Sequence, residues 1–507
     1  MLNAASWFVD RNVAEGRGRS PAFHCEGRTL TYTDVQELVS RSGNALLELG
    51  IQRKDRVALL CHDAPEFLGA LWGAIKIGAV PVPINTFLKP EEWLYCLDDS
   101  RAPVLVISAP LVEPAAAALG RAAHLRHVLV AGGPAGPHLS YEDRCARAKS
   151  DLTAAATSRD DPAFWLYSSG STGAPKAAVH LQHDMVVCSE TFARHVLGIR
   201  STDTVFSAAK LFFAYGLGNS GYFPASVGAQ CVLHPRRMTP ALAFEVLTRH
   251  RPTLFFAGPA LYAAMLALED APAREDLASL RLCVSAGESL PADLFLRWKD
   301  RYGVEIIDGI GTTECLHMFI SNRPGAVKPG SSGQPVPGYD AAIVDERGAP
   351  VVPGEIGNLR IKGDSIMSGY WNQPEKTAAA LRDGWIETGD KYYQDDDGYF
   401  WHCGRSDDML KVKGAWVSPV EVEAALIQHP ALLQAAVVGY KDAEGLIKAK
   451  AFVVLKDPSR ASDALAAELM AFAREKLPPY KCPRWVEFRT ELPMTATGKI
   501  QRFKLRD

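Results

Sequence analysis

Short apolar runs alternate with amphipathic helical stretches from the N-terminus to about residue 400. Three of them are Arg56-Val57-Ala58-Leu59-Leu60, Pro103-Val104-Leu105-Val106-Ile107 and Val205-Phe206-Ser207-Ala208-Ala209. A strand that is apolar at successive positions has no face to offer water. These runs therefore predict buried strands in α/β layers. Phe164-Trp165-Leu166-Tyr167 is another such strand. Near residue 400 the texture changes. Lys391-Tyr392-Tyr393 and Tyr399-Phe400-Trp401 flank Asp395-Asp396-Asp397-Gly398, which predicts a hairpin with an acidic turn. The remaining ligands and the distal Glu of a calcium loop are missing, so turn chemistry accounts for the aspartates.

Beyond Arg405 the pattern is that of a compact α+β unit. Ser418-Pro419-Val420-Glu421 has the form of a capping box with Pro at the first helical position, so a helix is expected there. Two strands follow, 432–440 and 448–455, joined around Asp442 and Gly445; a helix comes next, with Leu465, Leu469 and Phe472 on its apolar face. The fold class is thus α/β. A large N-terminal body of several subdomains with stacked sheets spans 1–404, and a small, mobile C-terminal α+β domain spans 405–507, with the hinge at Asp407. No repeat of fixed period and no low-complexity segment interrupts the chain.

Composition narrows the function classes. The chain has 507 residues, 22% of them charged, and a formal net charge of −3, so no overall field favours nucleic acid. None of the ten cysteines falls in a C-x-x-C pair and no His pair sits at zinc spacing, so reduced, buried thiols in a cytoplasmic protein are expected. The N-terminus lacks the basic and apolar regions of a signal peptide, and the last three residues are not a peroxisomal address. Ala70 to Ile84, the longest apolar stretch, is broken by Lys76 and two prolines, so no membrane partner is expected. A modest net charge still leaves room for a local anion site.

The strand Phe164–Tyr167 runs into Ser168-Ser169-Gly170-Ser171-Thr172-Gly173-Ala174-Pro175-Lys176. Glycines let backbone N–H groups approach phosphate oxygens, hydroxyls donate, and a lysine offsets charge, which together suit a polyphosphate cradle. The loop is not a Walker A motif, because Lys176 follows Pro175 and precedes Ala177. Gly216-Leu217-Gly218-Asn219-Ser220-Gly221 matches the dinucleotide fingerprint G-x-G-x-x-G, but no acidic residue ends a strand about twenty residues later. That match is read as a decoy.

Tyr167–Lys176, Ser285-Ala286-Gly287-Glu288, Asp308-Gly309-Ile310-Gly311-Thr312-Thr313-Glu314, Gly384–Asp390, Gly404-Arg405-Ser406-Asp407-Asp408 and Pro493–Lys499 occur in that order. In these segments the chain resembles the adenylate-forming superfamily of acyl-CoA synthetases, luciferases and peptide-synthetase adenylation domains, over nearly its whole length. Leu211-Phe212-Phe213-Ala214-Tyr215-Gly216-Leu217-Gly218-Asn219 is similar to the benzoate–CoA ligase branch; fatty-acid activating relatives typically carry histidine where Phe213 stands.

The resemblance implies an acid–thiol ligase that uses ATP and Mg²⁺ to turn a small aromatic carboxylic acid into its acyl-adenylate. It then passes the aroyl group to coenzyme A, releasing AMP and pyrophosphate. It assigns the β- and γ-phosphates to Ser168, Ser169, Gly170, Ser171, Thr172, Gly173 and Lys176, the α-phosphate to Thr313 and Mg²⁺ to Glu314. Asp390 and Arg405 meet the ribose hydroxyls. Gly287 and Glu288 line the adenine pocket, with Asp308, Gly309 and Ile310 beside them. Ile310 stands where the family commonly has an aromatic that stacks on adenine, so stacking there is weaker or supplied elsewhere. Lys499 bridges the carboxylate and the α-phosphate. Both reactants are anions, so a cation between them acts most strongly in the transition state.

For the second half-reaction the resemblance implies a rotation of the small domain about Asp407. That motion withdraws Lys499 and brings in Lys411, Lys413, Gly414 and Trp416 for coenzyme A. Phe213, Ala214, Tyr215, Gly216, Ala286, Gly311 and His317, with Gly287 and Ile310, surround the ring. On the residues alone, His317 is as compatible with a packed core imidazole as with substrate contact, and Lys411 and Lys413 with solvated turn lysines. An aryl acid loaded onto a carrier protein in trans is the competing function. A homodimer stays open.

Overall fold

The computed structural model describes residues 1–168, 175–412, 415–442, 445–494 and 500–506. Among these residues the largest sheet has nine strands, with a parallel run at its centre. Thr204–Ser207, Leu254–Ala257, Leu282–Ser285 and Ile306–Gly311 lie side by side in parallel register, the first three wholly buried and the fourth buried as far as Gly309. Ligands of open α/β sheets bind beyond the carboxyl ends of such strands. The segments selected above, 211–219, 286–288 and 311–317, each follow one of these ends.

A second, all-parallel sheet of five strands has Arg56–Leu60 and Val104–Ser108 at its centre, as the apolar runs predict. The Val205–Ala209 run yields a strand that stops at Ser207. The chain turns there, and the buried Lys210 ammonium is drawn to the carbonyls of His234 and Arg236 at 2.7 and 2.8 Å. A third sheet is antiparallel: Pro162–Ser168 pairs with Lys176–Leu181, which pairs in turn with Gly369–Tyr370. Trp165 and Trp371 pack at 4.4 Å on its face.

The expected hairpin is present as Trp385–Gln394 against Phe400–Arg405. Lys328 binds both Asp395 and Asp397, at 2.6 and 2.7 Å, while Asp395 also accepts the N–H groups of Asp397 and Tyr399. These aspartates build the turn.

From Leu410 onward the buried apolar side chains form cores of their own, sharing no residue with the main core that ends at Phe400. The helix Pro419–Leu426 starts where expected, and Ser418 caps the Glu421 N–H at 3.1 Å. Only half of the capping box forms, because the Glu421 carboxylate turns outward to Lys481 at 2.7 Å. Strands Leu432–Lys441 and Ile447–Leu455 pair as an antiparallel hairpin. In the helix Asp463–Lys476, Leu465 and Leu469 are buried as predicted, but Ala473 completes the stripe; Phe472 packs edge-on against His429 at 5.1 Å. No helix among the described residues is long and apolar enough to cross a membrane.

Candidate active site

The phosphate end of the site is built where the antiparallel sheet meets the end of Ile306–Gly311. Past Gly311 the chain closes into a short 3₁₀ turn, Thr313–Cys315, capped by the Thr312 hydroxyl on the Cys315 N–H at 3.2 Å. The turn aims Glu314 at the end of Pro162–Ser168, where Ser168 Oγ donates to Glu314 Oε1 at 3.2 Å. Tyr370 Oη donates to the same oxygen at 2.8 Å and accepts from Lys176 Nζ at 3.1 Å, the ammonium lying 4.3 Å from the ring centre. Burial lowers the Lys176 pKa, the Glu314 carboxylate opposes that, and the nearby Lys376 and Arg405 cations add to the lowering. Lys176, Lys376 and Arg405 thus stand near one another beside one carboxylate.

The nucleoside end lies beside it on the 385–405 hairpin. Asp390 and Arg405 are direct cross-strand partners, with Nη1 3.3 Å from Oδ1. Arg405 Nη1 also donates to the Thr388 carbonyl at 2.8 Å, and His402 Nε2 lies 3.6 Å from Asp390. His402 Nδ1 in turn meets Ser289 Oγ at 2.9 Å, tying the hairpin to the segment that carries Gly287 and Glu288. Behind it sits Asp308, which is 4% exposed. Burial pushes its carboxyl up to about 7, against the hydrogen bond it accepts from the Leu290 N–H at 3.2 Å.

The ring end is packed rather than charged. Tyr215 is half-buried, and its hydroxyl donates to the Val284 carbonyl at 3.1 Å; the group is thus used in the scaffold and the ring is left to form a wall. His317 lies 5.6 Å from Tyr215, 5.0 Å from Phe192 and 4.5 Å from Phe223. Its Nε2 meets Asn219 Oδ1 at 3.1 Å, and burial pulls its pKa down to about 3 despite a backbone hydrogen bond at Tyr215, so it is a neutral imidazole. The G-x-G-x-x-G match lies here, in the buried helix Leu217–Tyr222 and the residue before it. A Cβ at Gly216 would stand 2.1 Å from the Lys210 carbonyl, and one at Gly218 2.5 Å from the His317 ring. These glycines serve close packing. Gly311 is likewise pressed onto His317, whose carbonyl would be 2.5 Å from a Cβ. Phe213 and Ala214 are half-buried beside Tyr215, and Ala286 and Ile310 pack against the same core.

The structure therefore brings together Ser168, Lys176 and Glu314, pairs Asp390 with Arg405, and gathers Tyr215, Gly216, Gly311 and His317. Ser169, Gly170, Ser171, Thr172, Gly173, Lys413, Gly414 and Lys499 lie outside the described residues. Lys411 and Trp416 face each other across the short hairpin 410–417, but beside Lys391 and Glu346. Lys391 follows Asp390 on its strand, and successive side chains point to opposite faces, so Lys411 and Trp416 pack on the face of the strand opposite Asp390. The tail instead lies toward the nucleoside end. Burial lowers the Arg502 pKa, but the Glu423, Asp408 and Glu288 carboxylates more than offset this. Asp407 is exposed, and its carbonyl accepts from Arg506 at 2.9 Å.

Sequence reasoning missed Tyr370, the bridge between Lys176 and Glu314. No local signal marks it, because strand pairing of Tyr370 with Ala178 delivers it from far along the chain. His180 was also missed, although it shares a strand face with Lys176 by the two-residue period.

Residues 10–371 match the AMP-binding enzyme family and residues 421–499 the AMP-binding enzyme C-terminal domain. A benzoate–CoA ligase of Thauera aromatica is 51% identical over 99% of this chain and 95% of its own. A 4-hydroxybenzoate–CoA/benzoate–CoA ligase of Rhodopseudomonas palustris is 45% identical over 100% and 94%. Among solved structures, an anthranilate CoA ligase in complex with anthranoyl-AMP superposes with a TM-score of 0.95 at 46% identity, covering 99% of this chain and 96% of its own.

Proposed function

The chain belongs to the AMP-binding enzyme family and is an AMP-forming acid–thiol ligase, and from that premise we propose that it adenylates benzoate or a hydroxy- or 2-aminobenzoate and transfers the aroyl group to coenzyme A. The observation that carries this is the segment 311–317. At Thr313 and Glu314 it joins the charged end, and at Gly311 and His317 it forms part of the ring wall. One short stretch of backbone thus spans the distance between an acid's ring and the phosphate it attacks.

In this mechanism the carboxylate oxygen attacks the α-phosphorus, the bond to the bridging oxygen breaks, and pyrophosphate leaves with Lys176 beside it. Thr313 bonds the α-phosphate. Glu314 fits a magnesium ion carried by the nucleotide. Mg²⁺ takes one or two carboxylates with phosphate and water oxygens, and no cluster of three or more His, Cys, Asp or Glu exists among the described residues to hold a metal independently. When bound, the ion neutralises phosphate charge. Lys499 is assigned to the approach of the two anions. Its support is the neighbouring Arg502, which feels the Glu288 charge. Asp407 is the point about which residues 405–507 turn so that Lys411, Lys413, Gly414 and Trp416 receive coenzyme A; the separate apolar core beyond Leu410 supports such a motion. Aryl selectivity rests on a flat, neutral pocket walled by Tyr215 and His317, which favours a ring over a long alkyl chain. The three relatives act, by name, on benzoate, 4-hydroxybenzoate and anthranilate.

The test is incubation with ATP, Mg²⁺ and a panel of benzoate, hydroxybenzoates, 2-aminobenzoate and a fatty acid, with and without coenzyme A. Pyrophosphate release with the aryl acids, and AMP plus thioester only when coenzyme A is present, are expected. Turnover of the fatty acid above all aryl acids contradicts the substrate class. Adenylation without any thioester points to a carrier-protein acceptor.

A further inference from the structure

His180 and Asp184 form a pair at 2.7 Å that is completely shut off from solvent, both side chains being 0% exposed. The other imidazole nitrogen, Nε2, lies 2.8 Å from the carbonyl oxygen of Thr313. A carbonyl only accepts, so Nε2 donates to it, while one proton lies between Nδ1 and Asp184 Oδ2. Asp184 is itself held by the Leu181 N–H at 3.0 Å and by His183 Nε2 3.4 Å from its other oxygen. The imidazole is clamped flat by Phe164, its cross-strand partner, with ring centres 5.1 Å apart and planes 17° from parallel. Ring orientation and donor direction are thus both fixed. A buried charged or polar pair of this kind carries a desolvation cost that an apolar pair of similar size would avoid. That cost points to a role beyond filling the core.

We propose that His180, oriented by Asp184, is a positioning residue that sets the Thr313–Glu314 turn for phosphate and metal binding. The strand Lys176–Leu181 carries this coupling. Lys176 and His180 lie on the same face, so one rigid element touches the site twice. At its start Lys176 reaches Glu314 through Tyr370, and at its end His180 holds the Thr313 carbonyl. The same carbonyl accepts the Leu316 N–H at 3.2 Å, closing the turn. With the carbonyl fixed from below, the Glu314 side chain is held toward Ser168 and Tyr370. A displacement of about 1 Å at a site of this kind costs on the order of 100-fold in rate.

This inference rests on the ligase activity proposed above, and the experiment separates the two. Pyrophosphate release is measured in the full-length protein with ATP, Mg²⁺ and benzoate for wild type, His180→Phe and His180→Gln, with thermal melting recorded for each. Phe keeps the stack on Phe164 but has no donor, whereas the Gln amide reaches Thr313. We expect His180→Phe to lower kcat for adenylation by roughly 100-fold with the KM for benzoate within about threefold of wild type, and His180→Gln to recover most of the rate. Should His180→Phe not fold, His180→Asn, whose amide falls short of Thr313, takes its place with the same expectation. A Phe or Asn variant adenylating at the wild-type rate overturns the proposal. A Gln variant as slow as the Phe variant at an equal melting temperature overturns it too. Absence of pyrophosphate release by the wild type with every aryl acid refutes the ligase activity instead.

Discussion

The two ends of the site are built on opposite principles. At the ring end most polar groups are spent within the protein, although His317 Nδ1 finds no hydrogen-bond partner of good geometry. The Tyr215 hydroxyl is taken by Val284, His317 Nε2 by Asn219, and Asn219 in turn by Ser207 at 3.3 Å. What remains is shape. At the phosphate end the half-buried Ser168, Lys176 and Glu314 share bonds with one another and with the buried Tyr370, and these can be exchanged for bonds to a ligand. What remains there is charge. Under the proposed function the contrast assigns selectivity and rate to different segments: the ring end would choose the acid, and the phosphate end would drive the reaction whichever acid is bound.

Removing charge breaks the comparison most sharply. Lys499→Ala is expected to cut acyl-adenylate formation by at least ~10³-fold, the scale of losing a preorganised charge in the transition state, yet to spare thioester formation from supplied aroyl-AMP; single-turnover assays of both half-reactions check this. Glu314→Gln should lower adenylation by about 100-fold for every acid alike, with a raised requirement for Mg²⁺ in a titration of initial rates. Tyr215→Ala acts at the other end. Its kcat/KM for benzoate should fall roughly 10- to 100-fold, with bulkier aryl acids losing less, so that the ranking of acids changes as it does not for Glu314→Gln. Asp407→Pro fixes φ at the exposed turn, and the thioester step should slow several-fold more than adenylation.

The smallest effect concerns Asp308, a carboxyl that lies in the dry part of the molecule. Its folded pKa, about 7, stands above the ordinary 3.8, so the folded state holds the proton more tightly than the unfolded chain between these values. Its contribution to stability therefore falls as pH rises from about 4 to about 7 and is level above that. Asp308→Asn lacks this loss. Its melting temperature relative to wild type should rise by a few degrees between pH 5 and pH 7 and not change further, as followed by scanning fluorimetry.

Much of this was legible from residue order, and the exceptions share a cause. The strand into Ser168 and the hairpin around Asp395–Gly398 follow from local pattern, because each is made within a short stretch of chain. Tyr370 and the His180–Thr313 contact join segments far apart in the chain, and only sheet pairing brings them together. His317 was open between core and pocket on its residues alone. The structure packs it, 3% exposed, against Tyr215, Phe192 and Phe223, held by Asn219, a residue of the misleading glycine pattern. The capping box failed by half because a distant lysine, Lys481, outcompeted the Ser418 N–H for Glu421.

The central claim is that a carboxylate attacks the α-phosphorus of ATP in this site before coenzyme A reacts. Turnover with benzoate labelled with oxygen-18 in its carboxyl group, followed by mass spectrometry of the products, tests it directly. The account predicts that AMP emerges carrying one labelled oxygen and that pyrophosphate carries none. Unlabelled AMP, or label in pyrophosphate or in ADP-forming products, would contradict it.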